Sequence, residues 1–269
     1  YPSVIRCLNM GPETIVGQLR PTHTEKYIND KIHKEKKSAA DAWEGMFGTI
    51  EYTAVMEQDR GKEIIVDFKD GTTEQMSGAE VYAIIFHQNQ GWCLSANGTI
   101  FNTSTKAVIP GLLERWFAER KVLQGKMREA IANGDKAQIE FWDKRQLVKK
   151  INLNSLYGAI LNPGCRFFDQ RIGQSVTLTG RTITKHMGAI TNQIMTGEYD
   201  HVGKSIIYGD TDSVYFSAYP MVKQDVKSGA VPWTKESVIE LYDSVAEEVN
   251  KSFPSFMMKA TNVPRENGE

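Results

Sequence analysis

Downstream of Pro110, apolar residues recur at steps of three and four. Leu112, Leu113, Trp116, Phe117, Leu123, Met127 and Ile131 keep the spacing of one helix face. Asn133-Gly134 stops the pattern, and Asp135 is placed to cap the next helix. That second helix is predicted over residues 136–160, ended by Asn162-Pro163-Gly164. So short a turn predicts that the two helices pack antiparallel. A third helix is predicted over residues 170–195, where Ile172, Val176, Thr179, Ile183, Met187, Ile190 and Ile194 form a core-facing stripe. Its threonines lower helix propensity, so periodicity carries that prediction. Gly197 breaks the chain. Residues 204–208 and 213–217 read as strands. A last helix is predicted over 235–251, with Val238, Leu241, Tyr242, Val245 and Val249 facing inward.

Upstream the pattern differs. Tyr1-Pro2-Ser3 can open a short helix, since proline is tolerated in a first turn. Residues 48–70 alternate, break at Asp59-Arg60-Gly61 and Asp70-Gly71, and read as β-hairpin strands. A second β patch is predicted over 81–109, with a turn at Asn97-Gly98. Residues 24–38 are charged and polar, as expected of a solvated face. No chemistry is visible in 24–109, which reads as a β-rich accessory insertion. No internal repeat is found.

Composition narrows the classes. At 269 residues the chain can bury a substantial core as one large domain or two small ones. A net charge of −1 excludes a uniformly basic nucleic-acid binder, so any such contact must come from local patches. Cys7, Cys93 and Cys165 show no CxxC spacing, which argues for a reducing compartment and against a zinc site. No apolar run reaches the length of a membrane span. The ends, YPSVIRCLNM without a methionine and TNVPRENGE, read as cut from a longer chain.

Two stretches carry candidate chemistry. YGDTDSVYF, residues 208–216, sets Asp210 and Asp212 at or beside a hairpin tip. Residues i and i+2 of an extended strand point to one side. Carboxylates about 4 Å apart repel by roughly 4 kcal/mol at an effective dielectric near 20. A cation between them removes that cost, and hard oxygen ligands suit Mg²⁺ or Mn²⁺. A solvent-exposed turn that merely favours Asp is the competing explanation. In KINLNSLYG, residues 150–158, Lys150, Asn154 and Tyr157 fall at i, i+4 and i+7 on one helix stripe, with Ile151, Ser155 and Leu156 on another face. A lysine there can meet a triphosphate as a point charge, and Gly158 leaves room for close approach. An ordinary amphipathic helix explains the stripe equally well when it is considered alone.

Taken together and in order, three stretches resemble the signature motifs of family B DNA polymerases. YPSVI is similar to the second half of D-x-x-S-L-Y-P-S-I-I, KINLNSLYG to K-x-x-x-N-S-x-Y-G, and YGDTDS to the Y-G-D-T-D-S motif. The phrasing is most similar to replicative polymerases of T-even-type bacteriophages. The resemblance implies an α+β fold: a palm built from a small antiparallel sheet with packed helices, and an antiparallel helical-hairpin fingers domain. Residues 1–23 and 163–269 would be palm and 110–162 fingers. It implies two-metal transfer with Mg²⁺ or Mn²⁺, two ions, in which a primer 3′-hydroxyl attacks the α-phosphate of a dNTP. Asp210 and Asp212 would hold the metals, and Lys150 would act with them in catalysis. Tyr1, Arg120, Lys150 and Asn154 would bind the nucleotide, with Tyr1 under its sugar. Tyr157, Gly158, Tyr208 and Ser213 would meet DNA. The family's first-motif aspartate would fall five residues before Tyr1, and the family's fingers lysine, four residues after the arginine, is Gln124 here, with Lys126 nearby. Implied partners are primer-template DNA, dNTP, the upstream region with that aspartate and a sliding clamp, in the cytoplasm of a bacterial host, with no membrane. The alternatives are a nucleotide- or DNA-binding fragment inactive on its own and another palm enzyme such as a reverse transcriptase, although those usually carry adjacent aspartates.

Overall fold

The computed structural model describes residues 1–20 and 50–264; the charged stretch 24–38 lies outside them. Helix α1 (Pro2–Cys7) and strand β1 (Ile15–Leu19) open the chain. Then come α2 (Glu51–Gln58), β2 (Glu63–Phe68) and β3 (Thr73–Ser77). Helix α3 (Gly78–Tyr82) runs on into one π-helical turn (Ala83–His87), followed by β4 (Trp92–Leu94) and β5 (Thr99–Asn102). Three long helices come next: α4 (Val108–Ala132), α5 (Lys136–Ile160) and α6 (Gln170–Thr196). The hairpin β6 (Ile206–Asp210) and β7 (Ser213–Phe216) precedes α7 (Tyr219–Ser228) and α8 (Lys235–Thr261).

The fold is mixed, with antiparallel sheets and several packed helices. Five strands pair antiparallel in the order β3-β2-β1-β5-β4. Strand β1 is the middle strand, and the alternation Ile15, Gly17, Leu19 turns to the core. Gly17 is required by close approach: a Cβ there would lie 2.8 Å from the Asp67 carbonyl oxygen. Residues 1–20 and 50–109 therefore share one sheet and one core, in which Ile5, Leu8, Phe101, Leu113, Ile172 and Phe256 are buried together. Full burial of side chains this size contributes roughly 1.5–3 kcal/mol each.

The antiparallel pair α4–α5 forms as predicted, with Asp135 accepting a hydrogen bond from the Gln138 amide at 3.1 Å as N-cap of α5. Its root is fixed by Asn9. That buried amide donates to the carbonyls of Asn102 and Thr105, both at 2.8 Å, and accepts from the Ala107 amide.

Three differences from the periodicity reading have physical causes. Residues 51–58 are helical, not a strand, because Tyr52 to Met56 are all buried, and burial on every side overrides β propensity. The Thr53 hydroxyl donates to the Ala260 carbonyl at 2.8 Å and ties that helix to α8. The start of the second β patch is helix α3, opened by a Ser77–Glu80 capping box. Helix α8 passes Lys251 and contains Pro254, because Phe256, Met257 and Ala260 are buried beyond it. The hairpin strands β6 and β7 form where strands were read and are largely exposed, with Ile207, Tyr208 and Tyr215 open to solvent. Ile151 on α5 is also exposed, and Leu153 and Ile160 face inward instead.

The polar residues of α6 have partners. Ser175 donates to the Asn97 carboxamide oxygen at 2.7 Å, and Thr179 accepts from the Ala96 amide at 3.0 Å, so the β4–β5 turn seats on the helix. Asn192 accepts from the Ser205 hydroxyl at 2.8 Å and donates to the Glu198 carbonyl at 2.8 Å, fixing the loop that enters β6. His186 is buried, stacks on Phe256 at 4.0 Å, and bonds Tyr199 and Ser252 through its two ring nitrogens.

Burial holds the His186 pKa down to about 4, against an ordinary 6.5. The folded state keeps the ring neutral while the unfolded chain takes a proton below its ordinary pKa. This contribution is therefore intact above about pH 6.5 and is lost as pH falls towards 4, by about 3 kcal/mol at most. Urea midpoints at pH 7.5 and 4.5 should differ less in His186→Gln than in the parent. Equal acid losses in both would show that this histidine does not carry the effect.

Candidate functional site

Helix α6 lies between the α4–α5 pair and the β6–β7 hairpin. An open cleft of about 1340 Å³ runs along it. Arg120, Lys150 and Asn154 line one wall, and Tyr208 and Asp212 line the other. Residues far apart in the chain thus face one space.

The helical wall is built by periodicity. Lys150, Asn154 and Tyr157 fall on one stripe of α5, and all three line the cleft. Lys149, one residue earlier, turns away and pairs with Glu119 on α4. Arg120 is steadied by Gln146, its Nε donating to the carboxamide oxygen at 3.1 Å. Tyr157 stacks on Tyr1 with ring centroids 4.4 Å apart and planes at 20°, so the N-terminal residue is part of the same wall. Gly158 does not line the cleft; a Cβ there would meet nothing within 4 Å. Gln124 and Lys126 also lie off the cleft, and the Lys126 ammonium sits 4.7 Å from the Trp142 ring centre.

The opposite wall is the two-residue loop Thr211–Asp212 between Asp210 and its ladder partner Ser213. Thr211 adopts φ 40°, in the left-handed region. That departure breaks the extended i, i+2 relation expected of the two acids. Asp212 lines the cleft, while Asp210, at the end of β6, does not. Asp210 instead accepts a hydrogen bond from the Thr211 hydroxyl at 2.9 Å, and its carbonyl accepts from Ser213 at 3.2 Å, which leaves Ser213 outside the lining as well.

The floor, α6, adds residues that the sequence reading missed. Thr177, Arg181, Thr184 and Lys185 line the cleft. Their spacing is helical and polar, beside the apolar stripe of the same helix, and was visible as a second periodicity. Burial and the neighbouring Arg181 push the Lys185 pKa down, while Glu51 opposes them. Among the described residues, four cationic side chains therefore face a cleft with one lining carboxylate, an arrangement suited to a polyanion accompanied by cations.

Asp210 and Asp212 are hard oxygen donors of the type Mg²⁺ and Mn²⁺ take. Among the described residues no group of three or more His, Cys, Asp or Glu stands together. The aspartates thus fit as part of a divalent-metal ligand set, and two ions would need further donors.

A carboxylate-bearing hairpin thus faces a basic helical pair across the cleft. The chain belongs to DNA polymerase family B, whose sequence profile matches residues 1–260. It is 26% identical over 234 residues to the DNA-directed DNA polymerase of Escherichia phage RB69, covering 81% of this chain and 24% of that protein. It is also 26% identical over 229 residues to the DNA-directed DNA polymerase of Enterobacteria phage T4, covering 80% and 24%. A shorter match, 35% over 111 residues, is to the DNA polymerase delta catalytic subunit of Oryza sativa subsp. japonica, covering 40% and 10%. The chain spans about a quarter of the length of the phage relatives.

The contrast between adjacent lysines is testable. Tripolyphosphate affinity, measured by calorimetry, should fall about tenfold in Lys150→Met, the loss of one charge-assisted contact. It should fall less than about twofold in Lys149→Met, whose side chain pairs with Glu119 away from the cleft. Equal losses would remove Lys150 from the site.

Proposed function

We propose that these residues form the nucleotide-binding palm and fingers of a DNA-directed DNA polymerase. The carrying observation is that Asp212 shares one cleft with Arg120, Lys150 and Asn154. Helices α4 and α5 are the fingers; α1, α6 and the β6–β7 hairpin belong to the palm. The five-stranded sheet is a shoulder of the palm, because β1 is its middle strand.

The reaction is attack of a primer 3′-hydroxyl on the α-phosphate of a dNTP, with pyrophosphate leaving. Arg120 and Lys150 hold the triphosphate, neutralising charge along it. Lys150 faces the leaving pyrophosphate and can hand it a proton. Asn154 donates to the same phosphates. Tyr1, braced by its stack on Tyr157, lies under the sugar and excludes a 2′-hydroxyl by contact. Tyr157, Gly158, Tyr208 and Ser213 meet the primer-template duplex. Asp212 and Asp210 would hold Mg²⁺ or Mn²⁺ together with the family's first-motif aspartate, upstream of Tyr1. When bound, such ions supply Lewis-acid stabilisation of the attacking and leaving oxygens.

Primer extension tests this reading. Residues 1–269 alone, with Mg²⁺ and dNTPs, should give no synthesis. The longer chain with the upstream region should extend the primer, and Asp212→Asn in it should reduce the rate at least about 100-fold. Robust synthesis by residues 1–269 alone, or by the Asp212→Asn chain, overturns the assignment.

Gly158 gives a second test. It is exposed in the last turn of α5 with open space around it, so Gly158→Ala should stabilise the free protein by up to roughly 0.5 kcal/mol. If duplex approaches there, the same change should weaken primer-template binding several-fold. Unchanged DNA affinity would place the duplex elsewhere.

A further inference from the structure

The hairpin that carries the two aspartates is exposed, and a two-stranded hairpin is marginally stable alone. Something must hold its tip. Its base has two anchors. Asn192 on α6 fixes Ser205 before β6. Tyr242 on α8 accepts from the Ala218 amide at 3.2 Å and stacks on Phe216, the last residue of β7, with ring centroids 4.7 Å apart. Neither anchor reaches the loop.

The Thr184 side chain does. Its hydroxyl, on α6, donates to the Thr211 carbonyl at 2.6 Å. Among the described residues this is the one hydrogen bond from residues 207–214 to another element. The same hydroxyl lies 3.1 Å from the Gly180 carbonyl one turn back, so two acceptors compete for one proton and the loop carbonyl is nearer. The loop needs such a clamp. Thr211 sits at φ 40°, a strained conformation for a β-branched residue. Its hydroxyl in turn donates to the Asp210 carboxylate at 2.9 Å. One chain of bonds therefore runs from α6 through the strained residue to Asp210, and the same loop aims Asp212 into the cleft.

We infer that Thr184 is a positioning residue: its hydroxyl latches the Thr211 carbonyl and thereby sets the loop geometry that presents Asp210 and Asp212 to a divalent cation. The inference rests on the proposed metal-binding role of those aspartates. Thr184 touches no reacting atom in this scheme. It acts by keeping the loop in one conformation before the ligand arrives.

The test uses the full polymerase chain that contains these residues and four proteins: parent, Thr184→Val, Thr184→Ser and Thr182→Val. Valine keeps the shape and removes the donor, and serine restores it. Thr182 is the control, because its hydroxyl donates to Leu178 within the same helix. Mn²⁺ affinity is read by electron paramagnetic resonance, and amide exchange across residues 206–216 is measured without metal. Loss of one net hydrogen bond should weaken Mn²⁺ binding about two- to tenfold in Thr184→Val and speed exchange in the hairpin by a similar factor. Exchange in β1 should not change, which shows that the fold is intact. Thr184→Ser and Thr182→Val should match the parent within about twofold. Parent-like Mn²⁺ affinity and hairpin exchange in Thr184→Val overturn the latch. A parent that binds no Mn²⁺ overturns the metal reading instead, and the exchange result then decides the latch by itself.

Discussion

Burial of one face of α6 is the constraint on which the site depends; the predicted stripe is buried only over its first half, since Ile183 and Met187 line the cleft and Ile194 is exposed. Ile172 and Val176 anchor its first half in the main core, and His186 packs its second half on Phe256 of α8. With that helix fixed, its remaining faces have defined neighbours. One meets α5 and the Tyr1–Tyr157 stack, and another meets the aspartate hairpin. Both walls meet on it: β6–β7 is otherwise exposed, and α5, paired with α4, buries few side chains of its own. The distance between the walls is therefore a property of α6. The clustering of its hydroxyls and amides reflects the same role. Ser175, Thr179, Thr184 and Asn192 each bond a loop that must be held at a set place.

The electrostatics fit that geometry. Arg120, Lys150, Arg181 and Lys185 face a space with one lining carboxylate. Cations converging on an open cleft repel one another, and a polyphosphate relieves the repulsion. Asp212 among them is unfavourable to a bare polyanion and favourable to one that brings divalent cations. The proposed substrate satisfies both sides. The Lys149–Glu119 pair is also informative, since it removes the neighbouring charge from the cleft and stiffens α4 against α5.

Much of this was legible in the sequence. Long helices with a period near 3.6 announce themselves, so α4, α5 and α6 emerged close to their observed ends. The three motif stretches led to the family, and the residues Tyr1, Arg120, Lys150, Asn154, Tyr157, Tyr208 and Asp212 do meet in one cleft. What escaped depends on contacts distant in sequence. Residues 51–58 alternate weakly and become a helix only because the core surrounds them. Strand β1 is short, and its glycine, which packs against the Asp67 backbone, hid the alternation. The different placing of Asp210 and Asp212 relative to the cleft goes with the single left-handed residue between them, and threonine does not advertise that conformation. The Ser77–Glu80 capping box and the polar period of Thr177, Arg181 and Thr184 were readable and were masked by stronger neighbouring patterns.

The central claim is that the hairpin acid and the helical lysine act on one bound nucleotide. A double-mutant cycle on Mg²⁺–dNTP affinity, with Asp212→Asn and Lys150→Met singly and together in the polymerase chain, measures this directly. The account predicts a coupling energy above about 1 kcal/mol, because both side chains would share one ligand. Losses that add to within about 0.3–0.5 kcal/mol would mean that the two residues serve separate sites, and the account would be wrong.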